Sequence, residues 1–332
     1  MLKALCHSSK TGWVTVDDIS SVSDLRADPA NVVWAELDID DLGPSDVDII
    51  AEEFDLDEFA VADSVNPRQR PKLETYDTHL FAVLHQLDEI RDQLEQRQIS
   101  CFVGEGYFLV IHDGAERTLT EARGRLKKVD EVLHSPEYML YALLDTVVDD
   151  YESIADTLEL DIEELEEQAL MASGVVRSTR DTPRLPEQRH MYSIKQQVSR
   201  LRRYALPLSR VLERVVNRTD HRITDDRMHK MFQDVYDHIL RIQAQVQNVD
   251  DLTVAVLDLT RGEQADTLNQ INKKLTAWAA IIAAPTLVTS FYGMNVALLP
   301  RSGTTIALVA AVLLMTVSGV VLYWNFKTRG WL

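Results

Sequence analysis

The tetrapeptide Tyr292-Gly293-Met294-Asn295 stands between two charge-free segments, and its last residue is chemically suited to hold a hydrated cation. The Asn295 side-chain carbonyl accepts hydrogen bonds and carries no net charge. A strongly hydrated ion such as Mg2+ gives up its water reluctantly. A ring of neutral carbonyls can therefore hold the ion through its waters and still release it, which is the balance conduction needs. Gly293 permits the close turn that would aim Asn295 at an axis. The same tripeptide also fits a turn that only ends a helix.

A second set of polar residues lies upstream. Asn269, Asn272, Leu275 or Thr276, Ala279, Ala283, Thr286 and Ser290 recur at steps of three or four, which places them on one helix face. Trp278, Ile281, Ile282, Leu287 and Val288 project in other directions. A face of amides, hydroxyls and small residues fits a pore wall. It also fits a small-residue packing stripe between membrane helices. Asn269 and Asn272 at the inner end favour the pore.

The elements that must position these residues are two membrane spans. Residues 275–300 hold no Asp, Glu, Lys or Arg, and after Arg301 none returns until Lys327. A hydrocarbon slab of about 30 Å needs roughly 20 apolar residues in helix. Each stretch holds one such span, about 275–292 and 305–324. The result is a two-span hairpin at the end of a mostly soluble chain. Lys273 and Lys274 precede the first span, and Lys327 and Arg329 follow the second. By the positive-inside tendency both ends face the cytoplasm and the connecting loop faces outside, with Arg301 as a contrary signal. No basic-then-apolar signal peptide opens the chain. The expected location is the inner (plasma) membrane.

Composition narrows the partners. The formal net charge is −19, from 53 acidic and 34 basic residues. Nucleic acid phosphates need a basic surface, so nucleic acid is disfavoured. Acidity suits cation partners, and it also aids solubility. Cys6 and Cys101 stand far apart without a CxxC, which fits a reduced compartment.

Residues 1–140 read as mixed α/β. Apolar stretches at 13–16, 32–37, 80–84, 99–103 and 107–111 look like strands, with helical pieces at 47–54 and 119–133. The run Asn66-Pro67-Arg68-Gln69-Arg70-Pro71 cannot be a helix interior. It reads as an ordered connection, either a plain loop or, given three charged or amide side chains between two prolines, one with a docking role. Residues 145–167 hold eleven Asp/Glu and no Lys/Arg, at helical apolar spacing, and 184–218 hold nine Lys/Arg against Glu187 and Glu213. A break is expected around 173–186. Opposite charge on successive helices suggests neighbours.

From 224 to 292 the simplest reading is one helix, roughly 100 Å long, interrupted in propensity only by Gly262 and Pro285. Met228, Met231, Val235, Ile239, Ile242, Val246 and Val249 form a heptad-like stripe. A helix that long needs partners along its length, which predicts a stalk in an oligomer.

These motifs resemble the CorA-type divalent-cation channels of the two-span, Gly-Met-Asn class. The resemblance rests on Pro285-Thr286-Leu287-Val288, Tyr292-Gly293-Met294-Asn295, and the ending Tyr323-Trp324-Asn325-Phe326-Lys327 to Trp331-Leu332. Further back it rests on Asn66-Pro67-Arg68-Gln69-Arg70-Pro71-Lys72, the run 138–151, and Asp234-Val235-Tyr236-Asp237-His238. The resemblance implies a homopentamer with a funnel-shaped cytoplasmic domain and one central pore lined by the first span. It implies Mg2+ as the transported and regulatory ion, with Co2+ and Ni2+ also carried, and no organic cofactor. Asn295, with Gly293 and Met294, would form the outer selectivity ring. Thr286 would form a further polar ring, Asn269 the inner one, and Leu275 part of a hydrophobic constriction. Asp234 matches an acidic position at the subunit interface, where bound Mg2+ holds the closed state. Its partner would be an acid near Asp88. Two departures stand out. Arg301 replaces an acid in the outer loop, and Asn272 and Ala283 stand where bulky gating residues are usual.

The expected organisation is thus an α+β cytoplasmic domain over 1–140, acidic and basic helices over 141–223, and a stalk helix continuing into the pore-lining span over 224–292. An outer loop follows over 293–304, a second span over 305–325 and a basic tail over 326–332. One rival is a Zn2+ or Co2+ transporter on the same scaffold, which imidazole or thiolate ligands on the pore face would favour. The chain's nine His form no tract and none lies on that face. The other rival, a membrane-anchored enzyme or scaffold, needs a nucleophile–base pair or a phosphate loop. None is recognisable, and His112-Asp113-Gly114 reads as a turn between strands. No P-loop ATP-binding motif is present, which fits a passive channel.

Overall fold

The computed structural model describes residues 3–8, 12–16, 25–26, 28, 30–66, 69–90, 93–127, 135–172, 188–217, 225–293 and 304–332. The chain divides into two compact units, one of residues 1–168 and 186–256, the other of 169–185 and 257–332.

The first unit is built on a seven-stranded sheet. Its strands are β1 (Lys3–Ser8), β2 (Gly12–Val16), β3 (Asn31–Asp38), β4 (Lys72–Thr75), β5 (His79–Ile90), β6 (Gln93–Gly104) and β7 (Tyr107–His112). They lie in the order β2-β1-β3-β7-β6-β5-β4. Only β3 and β7 run parallel; every other neighbouring pair is antiparallel. The five apolar stretches expected as strands all fall within strands. Two further strands carry weaker signals, because β1 and β4 contain Lys and polar residues and are short.

Every residue of β7 is buried, the mark of a strand covered on both faces. On one face α1 (Pro44–Phe54) and α2 (Glu58–Ser64) seal a core that includes Val33, Ala35, Phe54, Phe81, Phe102 and Leu109. Asp57 caps α2, its carboxylate accepting from the Phe59 and Ala60 amides. The connection before β4 is tied within the chain. Gln69 donates to Asp63 at 2.9 Å, and Lys72 pairs with Asp63 and Glu74. Pro67 and Arg68 lie outside the described residues.

The other face carries α3 (Glu116–Leu126), α4 (Pro136–Ala172) and α5 (Gln188–Val216). His112-Asp113-Gly114 is a turn from strand to helix rather than between strands, and Gly114 adopts φ of 65° there. The helix expected over 119–133 ends at Leu126, and residues 128–134 lie outside the described set. Arg123 of α3 reaches the buried Glu36 of β3 at 3.0 Å. Tyr204 of α5 rests its ring on His85 at 4.6 Å.

The helix α6 spans Asp226–Tyr292, 67 residues in one piece, about 100 Å long. Its part up to Val256 belongs to the first unit. There it runs alongside α4 in the same direction. Tyr141 meets Phe232, and Gln245 donates to Asp156 and Glu159. Lys195 of α5 pairs with Asp250, and Gln243 donates to the Ala205 carbonyl, so α5 runs antiparallel to α6.

This arrangement explains the heptad-like stripe. Val235, Ile239, Ile242, Val246 and Val249 are all buried within one chain. The buried stripe of this half of the helix is thus filled by its own α4 and α5. The acidic helix likewise takes its ion pairs from α3, through Arg117 to Asp150 and Arg125 to Asp145 and Asp149.

In the second unit, the rest of α6 and α7 (Thr304–Thr328) are both long and apolar enough to cross a membrane. The apolar windows of these two helices are only 11% and 6% buried, respectively. Large apolar side chains therefore face outward all along them, Leu287 and Trp324 among the most exposed. That surface is the converse of a soluble core helix and is stable only in lipid or against other copies.

Candidate functional site

The charge-free end of α6 has two unlike faces. Ala277 is buried, and Ile281, Ala284 and Val288 are half-buried. Moving each position by two residues gives Ala279, Ala283, Thr286 and Ser290, all exposed. Two residues of α-helix are about 200° of rotation. The stripe singled out from sequence is therefore the face opposite to the covered one. Asn269, Asn272 and Leu275 continue it toward the N-terminal side and are exposed as well. Lys273 and Lys274 project away from this stripe, because they sit on the turns of the covered face.

The stripe offers acceptors rather than charges. The Thr286 hydroxyl donates its proton to the Ile282 carbonyl at 2.8 Å, one turn back. Its oxygen then keeps lone pairs for an outside donor such as a coordinated water. Pro285, which lacks an N–H, leaves one backbone acceptor of this turn unbonded. The Thr289 hydroxyl donates to the Thr286 carbonyl at 2.8 Å. Of all stripe residues, Leu275 alone is a bulky apolar one.

At the C-terminal end of α6, the Gly293 amide closes the last helical turn on the Thr289 carbonyl at 2.9 Å. A Cβ at this position would stand 3.2 Å from that same carbonyl oxygen, so any larger residue must shift the turn. Met294, Asn295 and Arg301 lie outside the described residues.

The two acids expected at a regulatory site have different surroundings. Asp234 on α6 is 69% exposed and lies 3.8 Å from His238 Nε2, one turn on. Asp88 near the end of β5 is held by its own chain. Gln86 donates to both its oxygens at 2.8 and 2.7 Å, and Arg97 and Arg117 each approach to 3.3 Å. Neighbouring carboxylates, that of Asp150 foremost, hold the Arg117 guanidinium firmly in its charged form. Asp234 and Asp88 are not brought together by any contact within the described residues of one chain.

Sequence reasoning missed the two arginines beside Asp88. Arg97 approaches it only because β5 and β6 pair with Gln86 opposite Arg97, a register that single-strand patterns do not reveal. His238 beside Asp234 was legible as an i, i+4 pair.

Comparison with known proteins shows the family and the fold. The CorA-like Mg2+ transporter protein family matches residues 29–328. The cobalt/magnesium transport protein CorA of Thermotoga maritima is 26% identical over 95% of this chain and 87% of its own length. The putative metal ion transporter YfjQ of Bacillus subtilis is 26% identical over 92% of each chain. The complete structure of the CorA magnesium transporter from Methanocaldococcus jannaschii shares the fold with a TM-score of 0.81 at 18% identity, covering 99% of this chain and 98% of that one. The chain belongs to the CorA-like Mg2+ transporter family.

Proposed function

We propose that the chain is a passive divalent-cation channel that imports Mg2+, and also Co2+ and Ni2+, as a homopentamer in the inner (plasma) membrane. The stripe Asn269, Asn272, Leu275, Ala279, Ala283, Thr286 and Ser290 lines the pore. Asn295, aimed by Gly293 and Met294, selects hydrated ions at the outer mouth. The observation that carries this reading is the polar, charge-free, exposed face of α6 opposite its covered face. An exposed row of amides and hydroxyls on a membrane helix is costly in lipid and is satisfied around a water-filled axis. The two termini lie in the cytoplasm.

The driving force is the membrane potential. Two charges crossing 100 mV gain about 4.6 kcal/mol. Closure comes from intracellular Mg2+ at acidic subunit interfaces. Asp234, exposed on α6, is the better-presented ligand, with Asp88 as the candidate across the interface. Acidic side chains facing one another repel, a bound dication offsets the repulsion, and loss of internal Mg2+ shifts the population toward open forms.

The test is Mg2+ influx into proteoliposomes that hold a trapped Mg2+ indicator, under an inside-negative potential, with Asn295→Ala in parallel. Influx abolished by Asn295→Ala in a folded oligomer is the expected result. No flux of Mg2+, Co2+ or Ni2+ from well-folded wild type would overturn the reading, and flux of Zn2+ alone would favour a Zn2+ transporter on the same scaffold.

A further inference from the structure

Four basic side chains bracket the two long apolar helices. Lys273 and Lys274 stand just before the charge-free part of α6, and Lys327 and Arg329 stand at the end of α7. All four belong to the second unit and are exposed. One helix leads into the bilayer and the other returns, so two crossings bring both pairs to the same membrane surface.

Three features set these residues apart. The first is charge. Among the described residues none of the four has a carboxylate partner, although the chain carries a net charge of −19. In the first unit, Arg117, Arg123 and Arg125 all pair with acids. The nearest acid before Lys273 on α6 is Asp266, about 10 Å back along the helix. The second is direction. Lys273 and Lys274 precede the buried Ala277 by four and three residues, so they share its side of the helix. That side is opposite to the stripe of small and polar residues. Their charges thus point away from the proposed ion path, where they would repel a dication. The third is the end of α7. Gly330 takes φ of 70°, the Trp331 amide donates to the Phe326 carbonyl at 2.9 Å, and the Trp331 ring stacks on Phe326 at 5.4 Å. This left-handed cap, with its apolar contact, stops the helix and fixes Trp331 in the turn that carries Lys327 and Arg329. Lys327 Nζ also lies 5.7 Å from the centre of the Tyr323 ring. Tyr and Trp settle at headgroup depth, so these rings hold the two cations at phosphate level.

We infer that Lys273, Lys274, Lys327 and Arg329 form a binding site for the phosphate groups of anionic phospholipids, given the two-span reading of α6 and α7. Arg329 offers a planar fork that takes a phosphate through two hydrogen bonds, and the lysines add point charges. Basic side chains just outside a membrane span draw anionic headgroups. The acidity of the rest of the chain confines this attraction to the membrane surface. The exposed apolar surfaces of both helices would hold the acyl chains, which a free phosphate lacks.

The experiment reconstitutes the full-length oligomer in phosphatidylcholine bilayers with trace spin-labelled phosphatidylglycerol or spin-labelled phosphatidylcholine. Electron spin resonance reads the fraction of each lipid that the protein immobilises. Phosphatidylglycerol is expected to be preferred by about fivefold or more at low salt, and less so as salt screens it. Replacing all four residues by Gln should abolish the preference, while the charge-conserving Lys273→Arg/Lys274→Arg variant should keep it. Inorganic phosphate should displace the lipid no better than chloride at equal ionic strength. A preference that survives loss of all four charges, or specific displacement by phosphate, would overturn the assignment. Both labels held equally by the wild type would sink this site alone. If neither label is held, the chain does not enter the bilayer, and the two-span reading falls with the site. The readout needs no ion flux.

Discussion

The Tyr151 hydroxyl donates to the His85 carbonyl oxygen across 2.8 Å, tying α4 to the middle of the sheet. The His85 ring is itself enclosed, with Tyr204 against it. Burial lowers its pKa from 6.5 to about 4. The folded chain therefore keeps this imidazole neutral while the unfolded chain protonates it below about 6.5. Stability should fall as the pH drops from 6.5 toward 4, by an amount on the order of 3 kcal/mol, and level off below. Chemical denaturation of the wild type across that window, compared with His85→Gln, checks this. A variant with the same slope as the wild type would show that His85 is not its source.

Asp234 and Asp88 should respond in opposite directions to loss of charge around them. Asp234→Asn removes an exposed ligand and should raise the internal Mg2+ needed for half-closure by about fivefold or more. Arg97→Gln relieves the positive charge 3.3 Å from Asp88 and should lower it. Mg2+ inhibition of influx in proteoliposomes reads both. If Asp234→Asn closes at the wild-type Mg2+ level, the carboxylate is not part of the regulatory site.

What the sequence made legible follows from the range of the interactions involved. Each charge-free span and the stripe of small and polar residues are local patterns along a single helix, and the structure places that stripe on the exposed side of α6. The strands with continuous apolar runs were equally plain, whereas β1 and β4 depend on partners supplied by β3 and β5. The partner of the Val235–Val249 stripe was not legible. A heptad repeat specifies a buried seam but not whose helix fills it, and here α4 and α5 of the same chain do so. Nor could sequence show that Arg125 and Arg117 of a short helix, rather than the basic helix α5, would neutralise Asp145, Asp149 and Asp150.

Thr286 provides a test of acceptor chemistry in the pore. Its proton is committed to the Ile282 carbonyl, so on the proposed pore face its oxygen would act as an acceptor. Thr286→Val keeps the shape and removes that oxygen. Mg2+ influx should fall by about tenfold, the kinetic worth of roughly 1.4 kcal/mol, while Thr286→Ser restores it. Equal flux through the Val and Ser variants would show that ions pass this level without using the hydroxyl.

Leu275 is the remaining bulky apolar residue on a stripe whose other members are small or polar, and it is 67% exposed in the single chain. A hydrophobic constriction gates by dewetting, and on the proposed pore face Leu275 is the one bulky apolar side chain able to form it. Leu275→Asn should therefore raise influx at high internal Mg2+, where the wild type is shut, by several-fold or more. It should leave ion preference unchanged, because the proposed selectivity residue Asn295 is untouched. The same substitution at Ile281, which lies on the covered face of the helix, should not do so. Flux measured at saturating internal Mg2+ separates the two. If Leu275→Asn stays closed, the barrier lies elsewhere along the stripe and the acidic interfaces alone cannot be acting through this ring.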